Sequence, residues 1–174
     1  YLYDEGNDNL YVHHDLMIPS FPLCTEWLDC SVSDGSNFVA VGTFDPEIEI
    51  WNLDVLDTPV PETILGLNNQ DKHSDSVMNL CWNRKHTNML LSGSADETIK
   101  LWDLKANNCL RTFNTVHSGK VQAVQWNPLE STQILSGSYD KTVCVFDARI
   151  AAEKMTVKLQ SDPESVRWNP HCQY

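Results

Sequence analysis

One segment of the chain occurs twice at a fixed spacing, and this repeat constrains the fold more than any other feature. "LLSGSADETIKLWDLK", which begins at Leu90, aligns without a gap with "ILSGSYDKTVCVFDAR", which begins at Ile134, 44 residues later. Tryptophans mark the same period, since Trp82 and Trp126 are 44 residues apart and Trp126 and Trp168 are 42 apart. Recurrence at this interval predicts a fold built by stacking copies of one small structural unit.

Within each copy the sequence predicts short β-strands. "SVMNLCW", "MLLSGSA" and "TIKLWDL" are rich in apolar and β-branched residues and are separated by turn formers. "SADET" and "SYDKT" are typical of tight turns whose Asp bonds nearby backbone N–H groups. No segment combines a sustained 3.6-residue period with caps at both ends, so little helix is expected. Four short antiparallel strands at this spacing indicate a β-propeller blade, which needs neighbours to cover its faces.

A looser copy precedes these two. "EWLDCSVSDGSNFVAVGTFDPEIEIWNLD" contains Trp27 and Trp51, and its longer tryptophan spacing fits the polar loop "SVSDGSN". The predicted fold class is all-β, with about three and a half β-propeller blades. The predicted boundaries are 9–55 for a divergent first repeat, 73–105 for the second, 117–149 for the third and 150–174 for the start of a fourth.

The phrases "HSDSVMNLCWN" and "SGSADETIKLWD" resemble the two halves of a WD-repeat. The resemblance implies a ring of about seven blades, of which this chain supplies about three and a half. Members of that family bury a hydrogen-bond relay of His, Ser or Thr, Asp and Trp. The resemblance implies this structural role for His73, Ser92, Asp96 and Trp102. Such a set is chemically sensible, because each buried polar group gains a partner.

The other two copies depart from the relay pattern. The later copy supplies His117, Ser136 and Asp140, but Phe146 stands where the pattern has Trp, and Phe has no N–H to donate. We therefore expect that relay to lack one bond. The first copy keeps an Asp and a Trp but has Val41 in place of Ser and no His at the matching spacing.

Near the N-terminus, "YVHHDLMIPSFPLC" resembles one branch of the WD-repeat family whose members occupy the nucleus and nucleolus. The branch implies a non-catalytic scaffold in ribosome biogenesis or ribosomal RNA transcription, with the cytoplasm as a further location. Its members usually carry a Lys-rich insertion, which "ILGLNNQDKHSDS" lacks, and further repeats, so a fragment of a longer protein is expected. The alternative is a WD-repeat adaptor in another complex, binding histone tails at chromatin or presenting substrates for ubiquitin transfer.

Charge is distributed unevenly along the chain, whose net charge is −12. Residues 1–71 contain fourteen Asp or Glu and no Lys or Arg. This distribution disfavours direct nucleic-acid binding and suits basic protein partners such as ribosomal proteins or histones. The simpler interpretation is a solvated surface that aids solubility. Phe44, Asp45 and Tyr139 lie in equivalent turns and are the predicted partner-binding residues.

Other functional classes find little support in the sequence. His73, Ser92 and Asp96 suggest a catalytic triad, but a relay explains the same residues and their recurrence, so we expect no enzyme, cofactor or small-molecule substrate. His13, His14 and Asp15 lack further ligands at metal spacing, as does the pair His171 and Cys172. Six tryptophans could form a methyl-lysine cage, but their repeat-equivalent positions favour packing. The sequence contains no run of about 18 apolar residues, so no membrane-spanning helix is predicted.

Overall fold

The described residues of the computed structural model are 2–12, 15–29, 37–55, 59–67, 72–150 and 153–169. In these ranges all regular structure is strand: one two-stranded hairpin and three four-stranded antiparallel sheets. The hairpin pairs β1 (Leu2–Asp4) with β2 (Asn9–Tyr11). The prediction of an all-β chain built from four-stranded antiparallel blades is confirmed. The described part contains no helix able to cross a membrane.

Each sheet is one blade, and its strands lie side by side in chain order. The first blade comprises β3 (Pro22–Leu28), β4 (Phe38–Thr43), β5 (Ile48–Asn52) and β6 (Thr63–Leu65). The second comprises β7 (Val77–Trp82), β8 (Met89–Ser94), β9 (Ile99–Asp103) and β10 (Asn108–Phe113). The third comprises β11 (Val121–Trp126), β12 (Gln133–Ser138), β13 (Thr142–Asp147) and β14 (Glu153–Lys158).

The hydrophobic core lies between the blades, because each first strand packs against the preceding sheet. β7 lies against β3 and β4, and β11 lies against β7 and β8. The core between the first two blades buries ten hydrophobic side chains: Leu28, Ala40, Ile48, Ile50, Leu65, Val77, Leu80, Trp82, Leu90 and Trp102. An equivalent core lies between the second and third blades and contains both Trp126 and Phe146. A single blade could not bury these faces alone.

Glycine occupies the same position in the second strand of every blade, where the next first strand approaches most closely. A Cβ atom on Gly93 would lie 2.8 Å from Cγ1 of Val121 and 3.0 Å from Cγ1 of Val124. A Cβ atom on Gly137 would lie 2.8 Å from Cγ1 of Val166. The repeated "SG" in the sequence therefore marks the points of blade-to-blade contact.

The fourth strand of each blade lies beyond the repeat boundaries drawn from the sequence. β14, which those boundaries place at the start of a fourth repeat, pairs with β13 and completes the third blade. The boundaries differ because the sequence motif begins at His, whereas the sheet is completed by the strand before the next His. In the segment after β14, Pro163 and Val166 pack against Gly137, in the position that the first strand of a fourth blade would occupy.

Candidate functional site

The four relay residues expected in the second blade come together in one continuous chain of hydrogen bonds. Nδ1 of His73 lies 2.9 Å from Oδ2 of Asp96, and Nε2 lies 2.7 Å from Oγ of Ser92. The indole N–H of Trp102 donates to the same Ser92 oxygen at 2.8 Å. These partners fix the tautomer: Nδ1–H donates to the carboxylate, and Nε2 accepts from the serine hydroxyl.

The position of the second blade's aspartate gives its carboxylate several donors. Besides His73, Asp96 accepts bonds from the backbone N–H groups of Ser74 and Thr98 and from the Thr98 hydroxyl. Although burial raises the pKa of Asp96, these bonds outweigh burial and hold the pKa below its ordinary value. Burial lowers the pKa of His73 despite the neighbouring carboxylate, so the neutral imidazole is favoured.

The third blade repeats the relay except for its last member. His117 lies 3.0 Å from Oδ2 of Asp140 and 2.8 Å from Oγ of Ser136. Phe146 fills the tryptophan position, is fully buried, and packs edge-on against Phe113 with 5.1 Å between ring centroids. The aromatic substitution therefore keeps the packing and removes the indole donor to Ser136.

The first blade satisfies its buried tryptophan differently. The indole N–H of Trp51 donates to Oε2 of Glu49 at 2.9 Å, two residues back on the same strand. Val41, which stands where the other blades have serine, is buried and apolar. The sequence shows the missing serine and histidine, but the replacement acceptor depends on both side chains lying on one face of β5.

The burial of the relay determines what it can do chemically. Ser92 and Ser136 are both 0% exposed, so neither hydroxyl is open to a substrate. A nucleophile needs access and a nearby oxyanion site. The arrangement instead ties the loop before each first strand to the turn after each second strand, which orders that rim of the blade.

The turns that carry the predicted partner-binding residues are held in the same way in each blade. In each turn one backbone N–H donates to the carbonyl of the residue immediately before the blade's first strand. The three pairs are Phe44 with Phe21 at 3.3 Å, Ala95 with Ser76 at 3.0 Å, and Tyr139 with Lys120 at 2.9 Å. The turns therefore occupy equivalent positions on one rim.

The three predicted partner-binding residues are in different states. Phe44 is 58% exposed, with its ring centroid 6.1 Å from that of Phe21, which is 70% exposed. Asp45 is exposed, and its backbone N–H donates to Oγ1 of Thr43. The Tyr139 hydroxyl is instead bonded to Glu164 at 3.0 Å, a contact that raises the pKa of Tyr139.

Tyr139 also has a cation on its ring, because Nζ of Lys120 lies 5.3 Å from the ring centroid. Its side chain therefore already has intramolecular partners at both the hydroxyl and the face. Phe21 is the rim residue that the repeat pattern missed, since it precedes the strand and has no aromatic counterpart in the later copies. Ser76 and Lys120 stand at the equivalent positions.

The residues before each recurrent tryptophan form a series of bridges between blades that sequence analysis also missed. Glu26 Oε1 accepts the Trp82 backbone N–H at 3.0 Å. Cys81 Sγ accepts the Trp126 backbone N–H at 3.4 Å, and Gln125 Oε1 accepts the Trp168 backbone N–H at 2.7 Å. Such bridges are hard to anticipate because each joins a variable side chain to a backbone group in the next blade.

A cavity of about 510 Å³ opens beside these bridges. Charged and polar side chains of its wall include Glu26, Arg84, Lys85, Gln125 and Arg167. Burial raises the pKa of the Glu26 carboxyl. The wall of the cavity thus has one acidic group, that of Glu26, among the basic groups of Arg84, Lys85 and Arg167.

Metal and thiol chemistry find no support in the described part of the chain. No group of three or more His, Cys, Asp and Glu residues is placed there to hold a metal ion. His13, His14, His171 and Cys172 lie outside the described residues. Burial raises the pKa of Cys24 to about 12 and that of Cys81 to about 11, which disfavours reactive thiolates.

Comparison with known proteins agrees with this geometry. Residues 67–103 and 107–147 match the family described as WD domain, G-beta repeat. The chain therefore contains two repeats of this family. Within it, periodic tryptophan protein 1 of Saccharomyces cerevisiae is 44% identical over 133 residues, covering 62% of this chain and 23% of that protein. The branch of the family assigned from "YVHHDLMIPSFPLC", to which that protein belongs, is confirmed.

Further relatives and a solved structure extend the comparison. An uncharacterised WD repeat-containing protein of Schizosaccharomyces pombe is 49% identical over 131 residues, covering 65% of this chain and 25% of the relative. A chain in the "Crystal Structure of Mitotic Checkpoint Complex" matches with a TM-score of 0.67 and 25% identity, over 77% of this chain and 39% of that one. The chain spans about a quarter of the length of the curated relatives it matches.

Proposed function

We propose that the protein is a non-catalytic scaffold for protein–protein interactions in ribosome biogenesis, acting in the nucleus and nucleolus. The observation that carries the scaffold role is the burial of the serine and the histidine in both Ser–His–Asp sets, which leaves the rim turns as the available surface. Similarity to periodic tryptophan protein 1 supports the placement in that branch of the WD-repeat family. The Ribosome biogenesis protein WDR12 homolog of Trichoplax adhaerens, 35% identical over 72 residues, supports the process.

The preferred partners in this proposal are basic proteins, such as ribosomal proteins. Their support is the charge of residues 1–71, where acidic residues are unopposed by Lys or Arg. The described acidic residues of that part include exposed ones on the hairpin and the first blade, among them Glu5, Asp8, Asp45 and Glu62. Complementary charge speeds association and weakens as salt screens it.

Affinity purification of the tagged protein from nuclear extract, repeated at rising salt, tests this function. We expect basic pre-ribosomal proteins to be recovered at low salt and lost progressively as salt rises. Recovery of histones or ubiquitin-ligase subunits in their place would favour the alternative adaptor role. Capture that does not weaken with salt would contradict the charge-based account of the partners.

A further inference from the structure

We propose that Phe21, Phe44 and Asp45 form a recognition point for an arginine side chain carried by a basic protein segment. The inference rests on the proposed function, since it takes the partner to be basic, and it specifies which residues make the contact. Its support is the geometry of an exposed aromatic pair, the state of the neighbouring carboxylate, and the charge around them.

The aromatic pair is exposed but held in place. Phe21 and Phe44 leave 70% and 58% of their surfaces open, yet their backbones are joined by the hydrogen bond from the Phe44 N–H to the Phe21 carbonyl. Their ring planes are inclined at 46° with centroids 6.1 Å apart. Two large apolar rings at a rim, rather than in the core, provide contact area at low conformational cost.

The carboxylate of the first blade differs from its counterparts in the other two. Asp96 and Asp140 each accept hydrogen bonds from a buried His and from backbone N–H groups of their own blade. Asp45 occupies the same turn position, but no His exists at the matching spacing. In the described part of the chain its carboxylate accepts no hydrogen bond, and the side chain is exposed. Divergence of the first repeat has thus left this carboxylate available to a partner.

Local charge favours a cation at this position. The chain before residue 72 contains no Lys or Arg, and the cation that follows, Lys72, is paired with Glu47 at 3.0 Å. Rings attract cations through their faces, and an exposed carboxylate on the residue that follows Phe44 adds a second attraction. Arginine fits both, because its planar guanidinium stacks on an aromatic face while donating two N–H groups to one carboxylate.

The test is fluorescence anisotropy with the whole chain and a short labelled peptide of alternating Arg and Ser. Two further peptides replace every Arg with Lys or with citrulline, which keeps the planar shape without the charge. We expect the Arg peptide to bind more tightly than the Lys peptide by about threefold or more, and the citrulline peptide to lose most of the affinity.

Matched variants locate the contact on the protein. Asp45→Asn and Glu62→Gln each remove one exposed negative charge from the same region of the chain. We expect Asp45→Asn to weaken Arg-peptide binding by about fivefold and Glu62→Gln by less than about twofold. Phe44→Leu and Phe21→Leu keep apolar bulk without an aromatic face, and each should weaken binding by about threefold. Unchanged thermal unfolding verifies that each variant is folded.

The outcomes separate this inference from the proposed function. Equal losses for Asp45→Asn and Glu62→Gln would mean that a diffuse acidic surface binds the peptide, which overturns the recognition point and leaves the basic-partner proposal standing. Equal binding of the citrulline or Lys peptide would overturn arginine recognition in the same way. No Arg-peptide binding by the wild-type chain, with basic proteins still captured from extract, would also overturn the inference alone.

Discussion

The indole N–H of Trp102 donates to the hydroxyl oxygen of Ser92 at 2.8 Å, so one serine serves both the indole and the imidazole of His73. The third blade has no such indole, because Phe146 occupies the position. In its relay Ser92 therefore has two buried hydrogen-bond partners, His73 and Trp102, whereas Ser136 has one, His117. The serine hydroxyl at this position should therefore contribute differently to the stability of the two blades.

This difference predicts unequal costs for removing the two hydroxyls. Ser92→Ala deprives two buried ring nitrogens of their partner and should lower the free energy of unfolding by about 2–4 kcal/mol. Ser136→Ala removes one such bond and should cost about 1–2 kcal/mol. Urea unfolding followed by tryptophan fluorescence measures both. Equal costs in the two blades would show that the indole bond contributes little.

The buried imidazole of the second blade predicts a pH dependence. Burial lowers the pKa of His73 from its ordinary 6.5 in the folded chain. As pH falls below about 6.5 the unfolded chain binds a proton that the folded chain does not, so stability decreases toward lower pH. Below about 3.8 the lowered pKa of Asp96 acts in the same direction, because the unfolded chain takes up a second proton.

His73→Gln tests this dependence. The variant should be less stable at neutral pH, but its unfolding free energy should change less between pH 7 and pH 5, by up to about 1.4 kcal/mol per pH unit. His86→Gln serves as the control, since His86 is exposed in the loop after β7 and should retain the wild-type slope. A slope in His73→Gln as steep as that of the wild type would rule out His73 as its source.

Glycine at the third blade's contact predicts a local effect. Gly137→Ala would place a Cβ 2.8 Å from Val166 and 3.3 Å from Pro163, in the segment after β14. We expect that segment to shift and the Trp168 amide, bonded to Gln125, to exchange its hydrogen about tenfold faster. The free energy of global unfolding should fall by only about 1 kcal/mol.

Gly93→Ala is the matched comparison because it lies between two complete blades. Its added Cβ would meet Val121 and Val124 of β11, which cannot withdraw without moving the third blade. The cost should therefore appear as about 2–3 kcal/mol of global stability. If Gly137→Ala proved as costly as Gly93→Ala, the segment after β14 would be held as firmly as a full blade.

A turn residue in the left-handed region predicts a further pair of opposite effects. Lys141 has a φ of 63°, which glycine adopts freely and β-branched residues strongly resist. Lys141→Gly should leave stability unchanged or raise it by up to about 1 kcal/mol, whereas Lys141→Val should lower it by about 1–2 kcal/mol. Thermal unfolding of the two variants checks the sign. Equal melting temperatures would argue against strain at this turn.

Much of the fold could be predicted because the repeat consists of residues whose structural roles depend on their near neighbours in the sequence. Turn formers, alternating apolar residues and the spacing of His, Ser and Asp determine the strands and bring the relay of the second blade together. The strand that completes each blade was harder to place, since β6, β10 and β14 carry no shared motif. Their position depends on pairing with the preceding strand.

The candidate contacts were predicted less completely, for reasons visible in particular residues. The exposure of Phe44 and Asp45 could be predicted because both lie in a turn at the surface. Phe21 was missed because its proximity to Phe44 arises from the closure of the blade, over more than twenty positions of chain. Tyr139 was predicted as an available contact, but the structure gives its hydroxyl to Glu164, a residue of the segment after β14.

The bridges between blades have a consequence for how the array would resist being pulled apart. Besides the Cys81 thiol, the second and third blades are joined by Asn79 to the Val124 N–H, by Asn83 to the Ser131 carbonyl and by Lys85 to the Leu129 carbonyl. These bonds run from the first strand through the loop that follows it and would have to break together under load. The second and third blades should therefore respond to tension as one mechanical unit.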